Sequence, residues 1–142
     1  MKQYLIISIL LVGSHLTVAQ TISGQAFAEQ TVMGFQKGYG LRYQTSKGLG
    51  IGVLFQSNGK LSMETADGNY PFYGIETILP ITSCNNMRFF ISPKIGFVNQ
   101  DFLVLIPQVE TEIKVTNSLS VGITTGLRAR QSSAGGKVIL HL

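Results

Sequence analysis

Residues 118–132 read SLSVGITTGLRARQS. Apolar residues alternate in this stretch with small, polar or basic ones, so successive side chains belong to two different faces. One face carries Leu119, Val121, Ile123, Thr125, Leu127 and Ala129, and the other carries serine, glycine, threonine and arginine. A period of two is typical of a β-strand whose two faces meet different surroundings. The stretch therefore predicts a strand with one apolar face.

The same alternation recurs along the chain after residue 20, and no stretch keeps apolar residues at helical spacing. It predicts eight strands, near residues 21–29, 32–45, 48–56, 73–81, 87–97, 103–115, 118–132 and 137–142. Tight turns of turn-forming residues are predicted at 45–47, 83–86 and 116–118. They alternate with looser loops, which include 57–69 and 131–135. In an up-and-down antiparallel sheet, successive connections lie at opposite rims. Tight turns and looser loops therefore alternate along the chain when the two rims differ.

Composition indicates which face meets solvent. Only 13% of the residues are charged while 44% are apolar, whereas a soluble domain has about 25% charged residues. The polar face lacks the dense lysine and glutamate of a solvated surface. The apolar face carries seven aromatic residues, namely Phe35, Tyr39, Tyr43, Phe55, Tyr73, Phe89 and Phe97. These features predict an all-β, eight-stranded antiparallel up-and-down transmembrane barrel with a polar lumen. The alternative is a soluble exported barrel that binds a small apolar ligand.

The first nineteen residues follow the order of a secretory signal peptide. Lys2 precedes an apolar run at residues 5–12, and small or permitted residues lead up to Ala19. The run is too short to span a bilayer as a helix, which needs about 20 residues. We therefore expect a signal peptide at 1–19 and a barrel domain at 20–142.

The sequence combines apolar alternation, an even strand count and three tight turns at one rim. The alternation continues through Val138, Leu140 and Leu142. In this pattern the chain resembles the small eight-stranded outer-membrane barrel family of Gram-negative bacteria. The resemblance implies insertion into outer-membrane lipid by the barrel-assembly machinery, with the tight turns in the periplasm. Members of the family usually end in an aromatic residue, whereas this chain ends in Leu142. The basic charge is scattered, which does not indicate nucleic-acid binding.

Charged residues on the polar face are predicted to lie in the lumen, where they must pair or stay hydrated. They are Arg42, Glu76, Arg88, Lys94, Glu110, Glu112, Lys114, Arg128 and Arg130. Turn positions predict Glu76 opposite Lys94 and Arg88 opposite Glu112, and opposite charges across strands attract. This pattern predicts a lumen filled by ion pairs that hold the barrel together. A narrow gated conduit is the functional alternative.

Four residues fit the pattern less well. Lys37 belongs to the apolar face near the outer end of its strand, where the cost of a charge against lipid is small. Pro80, Pro93 and Pro107 each fall inside a predicted strand and remove a hydrogen-bond donor. Pro80 is compatible with a rim, whereas Pro93 and Pro107 require bulges or strand breaks.

No catalytic or metal-binding pattern is present in the sequence. After residue 19 the chain has a single histidine, His141, and its one cysteine, Cys84, lacks a partner and is predicted to be a free thiol. The acidic residues of the loop 57–69 lack the spacing of a calcium site. We expect a non-enzymatic protein without a cofactor. Surface contact is assigned to the loop residues Asn58, Lys60, Glu64, Asp67 and Asn69, and the extracellular partner is not identified.

Overall fold

The computed structural model describes residues 20–31, 34–57, 71–98, 102–128 and 131–142. Ten strand segments lie within these ranges: β1 (Gln20–Thr31), β2 (Gly34–Thr45), β3 (Gly50–Gln56), β4 (Phe72–Cys84), β5 (Met87–Ile91), β6 (Lys94–Val98), β7 (Phe102–Ile106), β8 (Gln108–Lys114), β9 (Leu119–Arg128) and β10 (Gln131–His141). In these ranges no helix is long and apolar enough to cross a membrane. The predicted signal segment, 1–19, lies outside the described residues.

The segments close into a barrel of eight antiparallel strands. Their order in the sheet is β3-β2-β1-β10-β9-β8-β5-β4-β6-β7, and β3 also pairs with β4, which completes the ring. β5 and β6 both pair with β4, so they are two halves of one interrupted strand. β7 and β8 are likewise the halves of the next strand, since β7 pairs with β6 and β8 pairs with β5. The predicted eight-stranded up-and-down barrel is confirmed.

Proline explains both interruptions. Pro93 separates β5 from β6, and Pro107 separates β7 from β8. Neither nitrogen can donate a hydrogen bond. Each proline carbonyl still accepts one, from the N–H of Thr77 at Pro93 and from the N–H of Leu127 at Pro107, both at 3.0 Å. The breaks expected at these two prolines are present, and the barrel closes around them.

Pro80 lies inside β4 and not at its end. The register of β4 against β5 shifts between Pro80 and Thr82, which leaves Ile81 without a partner in the ladder. This is a β-bulge, where one extra residue bends the strand and lets pairing resume. The strand then continues as far as Cys84, and the β4–β5 hairpin is exposed beyond Pro80.

The three predicted tight turns share one end of the barrel, here called the tight-turn rim. Thr45 pairs with Gln20, and the N–H of His141 donates to the carbonyl of Ser118, so both ends of the described barrel are there too. Asn85 has a φ of 52°, a left-handed conformation that asparagine tolerates well in turns. The opposite end, where the described strand ends Thr31, Gln56, Phe72, Val98 and Arg128 lie, is called the loop rim.

One predicted loop is a strand. Residues 131–135 were expected to form a loop because they are rich in serine and glycine, but β10 begins at Gln131. Gly135 pairs with Glu29 of β1 and with Thr124 of β9. A Cβ atom at this glycine would lie 2.6 Å from the carbonyl oxygen of Ala28. The small residue therefore permits a close strand contact here and does not mark a turn.

The two faces of the wall differ as predicted from the alternation. Large apolar side chains are exposed on the outer face around the whole circumference. Tyr39, Phe55, Tyr73 and Phe97 are consecutive partners on β2, β3, β4 and β6, which makes an aromatic row near the loop rim. Lys37 is also exposed on the outer face.

The lumen also contains a small apolar cluster, which the alternation did not predict. Phe27, Leu54, Phe72, Val98 and Ile106 are buried against one another. Phe72 and Val98 lie at the loop-rim ends of β4 and β6. Polar and charged side chains fill most of the remaining interior.

Candidate functional site

The charged layer in the middle of the lumen is electrically balanced. Every acidic residue in the described ranges is buried there, and four basic residues are buried with them. The set comprises Glu29, Glu76, Glu110, Glu112, Arg42, Lys94, Arg128 and Lys137. Burial of an ion costs several kcal/mol unless it is paired and hydrogen-bonded. Glu29, Glu76 and Glu110 form ion pairs within this set, whereas Glu112 pairs with the partly exposed Arg88 and Arg128 donates to glutamine side chains.

Arg42 is the centre of the largest ion-pair group. Its Nε donates to Glu76 Oε1 at 2.5 Å, and its Nη1 and Nη2 donate to the two carboxylate oxygens of Glu110 at 3.0 and 2.6 Å. Lys137 Nζ donates to Glu110 Oε2 at 2.7 Å. The contact of Arg42 with Glu110 is bidentate, the strongest geometry for a guanidinium and a carboxylate. Since these residues come from β2, β4, β8 and β10, the group crosses the lumen.

A second group lies beside the apolar cluster. Lys94 Nζ contacts Glu29 Oε2 at 3.5 Å, and Gln56 Nε2 donates to the same oxygen at 3.1 Å. The guanidinium of Arg128 donates to Gln36 Oε1 at 2.5 Å and lies 5.5 Å from the centre of the Phe72 ring. Contact with an aromatic face stabilises a cation that has lost its water.

Strand register and ion pairing agree at one predicted pair and differ at the other. Arg88 is opposite Glu112, and its Nη2 contacts Glu112 Oε1 at 2.5 Å. Glu76 is opposite Lys94, yet Glu76 contacts Arg42 and Lys94 contacts Glu29. Register determines which residues are neighbours in the wall, whereas long side chains in a closed barrel also reach strands across the lumen.

A smaller polar group lies nearer the tight-turn rim, around His141. Its Nδ1 is 3.0 Å from Ser23 Oγ and its Nε2 is 2.8 Å from Ser120 Oγ. Glu112 Oε1 lies 3.7 Å from the same Nε2. A Ser-His-Asp type of triad needs the carboxylate on the nitrogen opposite the nucleophile. Opposite Ser23, the hydrogen bond to Nε2 is made by Ser120, and Glu112 lies beyond hydrogen-bond distance of that nitrogen. Both serines are also buried, so the geometry differs from that of a hydrolase triad.

One predicted site residue has a different location, and six others lie outside the described residues. Lys114 was predicted to pair inside the lumen, but it is exposed at the tight-turn rim because the strand leaves the packed interior before residue 114. Outside the described residues are Arg130 and the loop residues Asn58, Lys60, Glu64, Asp67 and Asn69.

Two members of the lumen groups were absent from the predicted set, namely Glu29 and Lys137. Both belong to the inward face of their strands, β1 and β10, so strand parity was the signal that could have found them. The alternation is weakest in β1, which obscures Glu29. The predicted register places Lys137 near the like-charged Arg130 and offers neither Glu29 nor Lys137 an oppositely charged partner.

Neither a metal site nor a disulfide is found in the described ranges. No group of three or more histidine, cysteine or acidic residues there is arranged to hold a metal ion. Cys84 is exposed and unpaired at the end of β4.

Comparisons with known proteins concern the fold. No protein-family model matches the sequence, and no curated protein does. The chain is similar to a solved structure from the de novo design of transmembrane β-barrels, with a TM-score of 0.72 and 9% identity over 86% of this chain and 95% of that one. It is also similar to the de novo designed barrel TMB2.3, with a TM-score of 0.64 and 11% identity over 89% and 97% of the two chains. Neisserial surface protein A matches with a TM-score of 0.48 and 10% identity over 87% and 94%. The designed transmembrane barrels thus share the fold of this chain, which is an eight-stranded antiparallel β-barrel.

Proposed function

We propose that this protein is a non-enzymatic outer-membrane β-barrel with a structural or surface-contact role and a lumen closed by ion pairs. The observation that carries the proposal is the distribution of side chains across the wall. Within the described ranges, large apolar residues are exposed around the outside, and the eight charged residues that are buried lie inside. Monomeric soluble proteins rarely expose contiguous apolar patches above a few hundred Å². Lipid is the solvent that suits this outer face.

The ion-pair groups favour a closed lumen over a conduit. Arg42 joins β2 to β4 and β8, and Lys94 joins β6 to β1, so side chains bridge the interior in two directions. An eight-stranded barrel is just wide enough for its side chains to fill it. Passage of a solute would require several buried ion pairs to separate, which is costly where water is scarce.

The soluble alternative fits these features poorly. A soluble barrel that holds an apolar ligand needs an apolar interior and a polar exterior. Here the interior contains Arg42, Glu76, Glu110 and Lys137 in direct contact, and the outside is the apolar face. A small apolar ligand would therefore lack a matching cavity in the middle of the barrel.

We further propose an orientation in the membrane and a route of assembly. The barrel-assembly machinery would insert the chain, with the tight-turn rim in the periplasm and the loop rim outside the cell. Residues Asn58, Lys60, Glu64, Asp67 and Asn69 would then be available for extracellular contact. A tag within the segment 58–70 that a protease reaches on intact cells supports this orientation, and protection of the tag contradicts it.

The location and the closed lumen are tested together. In cells we expect the protein in the outer-membrane fraction, with a gel mobility that changes on boiling. In planar bilayers we expect the purified barrel to conduct no steady current. An aqueous location with unchanged mobility would refute the membrane assignment, and steady conductance from a correctly inserted barrel would refute the closed lumen.

A further inference from the structure

We propose that the mouth of the barrel at the tight-turn rim binds a phosphate group, either free or carried by a phospholipid headgroup. The mouth contains a cavity of about 240 Å³. Polar and basic residues from several strands and turns line it: Thr21, Asn85, Asn86, Arg88, Lys114, Asn117 and His141. This site is separate from the structural or contact role described above and lies at the end of the barrel opposite the loop rim.

Charge is unevenly distributed along the barrel, and part of the excess is at this mouth. The four acidic residues of the described ranges form ion pairs with Arg42, Arg88, Lys94 and Lys137. The basic residues of these ranges that form no ion pair are Lys37, Lys47, Lys114 and Arg128. Lys47 and Lys114 lie at or beside the tight-turn rim, whereas the charge of Arg88 is offset by Glu112 behind it. The concave mouth therefore has a net positive charge, which attracts anions.

The mouth also offers hydrogen-bond donors without partners. Arg88 uses Nη2 on Glu112, and its other guanidinium nitrogens make no hydrogen bond to the described residues. Its side chain is 35% exposed, whereas that of Glu112 is fully buried behind it. The ion pair thus holds the guanidinium in position and leaves donors available. Lys114 is exposed and makes no ion pair with the described residues.

Asparagines complete the set of donors. The left-handed conformation of Asn85 closes the β4–β5 turn and brings Asn85 and Asn86 to the cavity, while Asn117 approaches it from the β8–β9 turn. Side-chain amides donate two hydrogen bonds each. Guanidinium, ammonium and amide donors around one concave site are the groups that recognise phosphate oxygens.

The dimensions favour a single phosphate group. Drug-sized ligands occupy cavities of about 300–1,000 Å³, and this one is smaller. A second cavity of about 310 Å³ adjoins Arg88 and includes Lys47, Pro80, Ile81 and Phe90 in its lining. Its mixed basic and apolar lining offers space for the remainder of a phosphoester. Both cavities contact Arg88, which makes that residue the central ligand.

The test uses the exposed Cys84, the one cysteine of the chain, to carry an environment-sensitive fluorophore beside the mouth. The barrel is folded in a phosphate-free maltoside detergent and titrated with inorganic phosphate. We expect a saturable change in fluorescence. Lys114→Gln and Arg88→Gln should each weaken binding by about tenfold, the loss expected for one charge-assisted hydrogen bond. The matched control is Lys37→Gln, which removes the same charge on the outer wall and should bind within about twofold of the original chain.

Folding and binding are separated by the choice of variants. Arg88→Gln leaves the buried Glu112 without its partner, so its fold is checked by the boiling-dependent gel shift. Lys114→Gln breaks no ion pair of the described residues, so its effect reports binding alone. Absence of a saturable response in the original chain, or equal losses in Lys37→Gln and Lys114→Gln, would overturn the proposal.

Two lipid arms distinguish the source of the phosphate. The labelled barrel is placed in bilayers of phosphatidylglycerol or of a phosphate-free galactolipid, and each is titrated with inorganic phosphate. A response in galactolipid that is absent in phosphatidylglycerol assigns the site to the lipid headgroup. A response in both assigns it to free phosphate. A response in neither bilayer would contradict the site in its membrane setting.

Discussion

Basic residues are buried and ion-paired in the body of the barrel, whereas at its tight-turn rim a basic residue is exposed. In the body, Arg42 has no exposure and contacts two carboxylates that are equally buried. At the rim, Lys114 lies on the same inward-facing side of its strand but is exposed. The difference shows that strand parity alone does not decide whether a charge is structural. Depth within the barrel decides how much water remains, and therefore how costly an unpaired charge is.

The largest expected effect comes from removing the central cation. Arg42→Met leaves Glu76 and Glu110 buried with fewer partners, and breaking a buried ion pair costs about 3–5 kcal/mol. The matched rim variant, Lys114→Met, should change the free energy of unfolding by less than about 0.5 kcal/mol. Urea unfolding in lipid vesicles, followed by gel mobility, measures both. Equal effects of the two variants would remove the distinction between body and rim.

A charge added to the outer face is expected to cost more in the middle of the barrel than at its rim. Val53 is exposed at the middle of β3, so Val53→Arg should destabilise the barrel by about 2–4 kcal/mol in lipid. Val115 is exposed to a similar extent beside the tight-turn rim, where Val115→Arg should cost about 0–1 kcal/mol. The same unfolding assay compares them. If Val53→Arg is harmless, then water and not lipid surrounds the middle of the barrel.

A smaller effect is expected where two strands touch closely. In Gly96→Ala the new Cβ would overlap the carbonyl oxygen of Tyr73 and lie 2.5 Å from the Cα of Gly74. Overpacking of this kind costs about 1–3 kcal/mol. At the rim, Asn86→Ala replaces an exposed turn residue and should change stability by less than about 0.5 kcal/mol. Similar unfolding midpoints for the two variants would contradict close packing of the wall at Gly96.

Much of the fold could be predicted from the sequence because strand alternation is a local signal. The eight strands, their two faces, the tight turns and the breaks at Pro93 and Pro107 all follow from neighbours along the chain. The strand at 131–135 was missed because serine and glycine are typical of loops. Here Gly135 instead permits close contact between β10 and β1.

The lumen was harder to predict than the wall. Register correctly identified Glu76 and Lys94 as neighbours, but their ion pairs are formed with Arg42 and Glu29. These contacts depend on how the closed ring brings distant strands together and on the reach of long side chains. The alternation of apolar and polar residues contains no information about ring closure or about the reach of side chains. The exposure of Lys114 similarly depends on how far each strand extends beyond the packed interior.

The central claim, that apolar side chains face lipid while inward ones face a filled lumen, has one direct test. The chain lacks tryptophan, so a single introduced indole reports its own surroundings. Phe72 and Tyr73 are adjacent on β4 but face opposite sides, with exposures of 0% and 47%. In bilayers with brominated acyl chains, we predict strong quenching of tryptophan fluorescence in Tyr73→Trp and little quenching in Phe72→Trp. Equal quenching, or stronger quenching in Phe72→Trp, would contradict the claim.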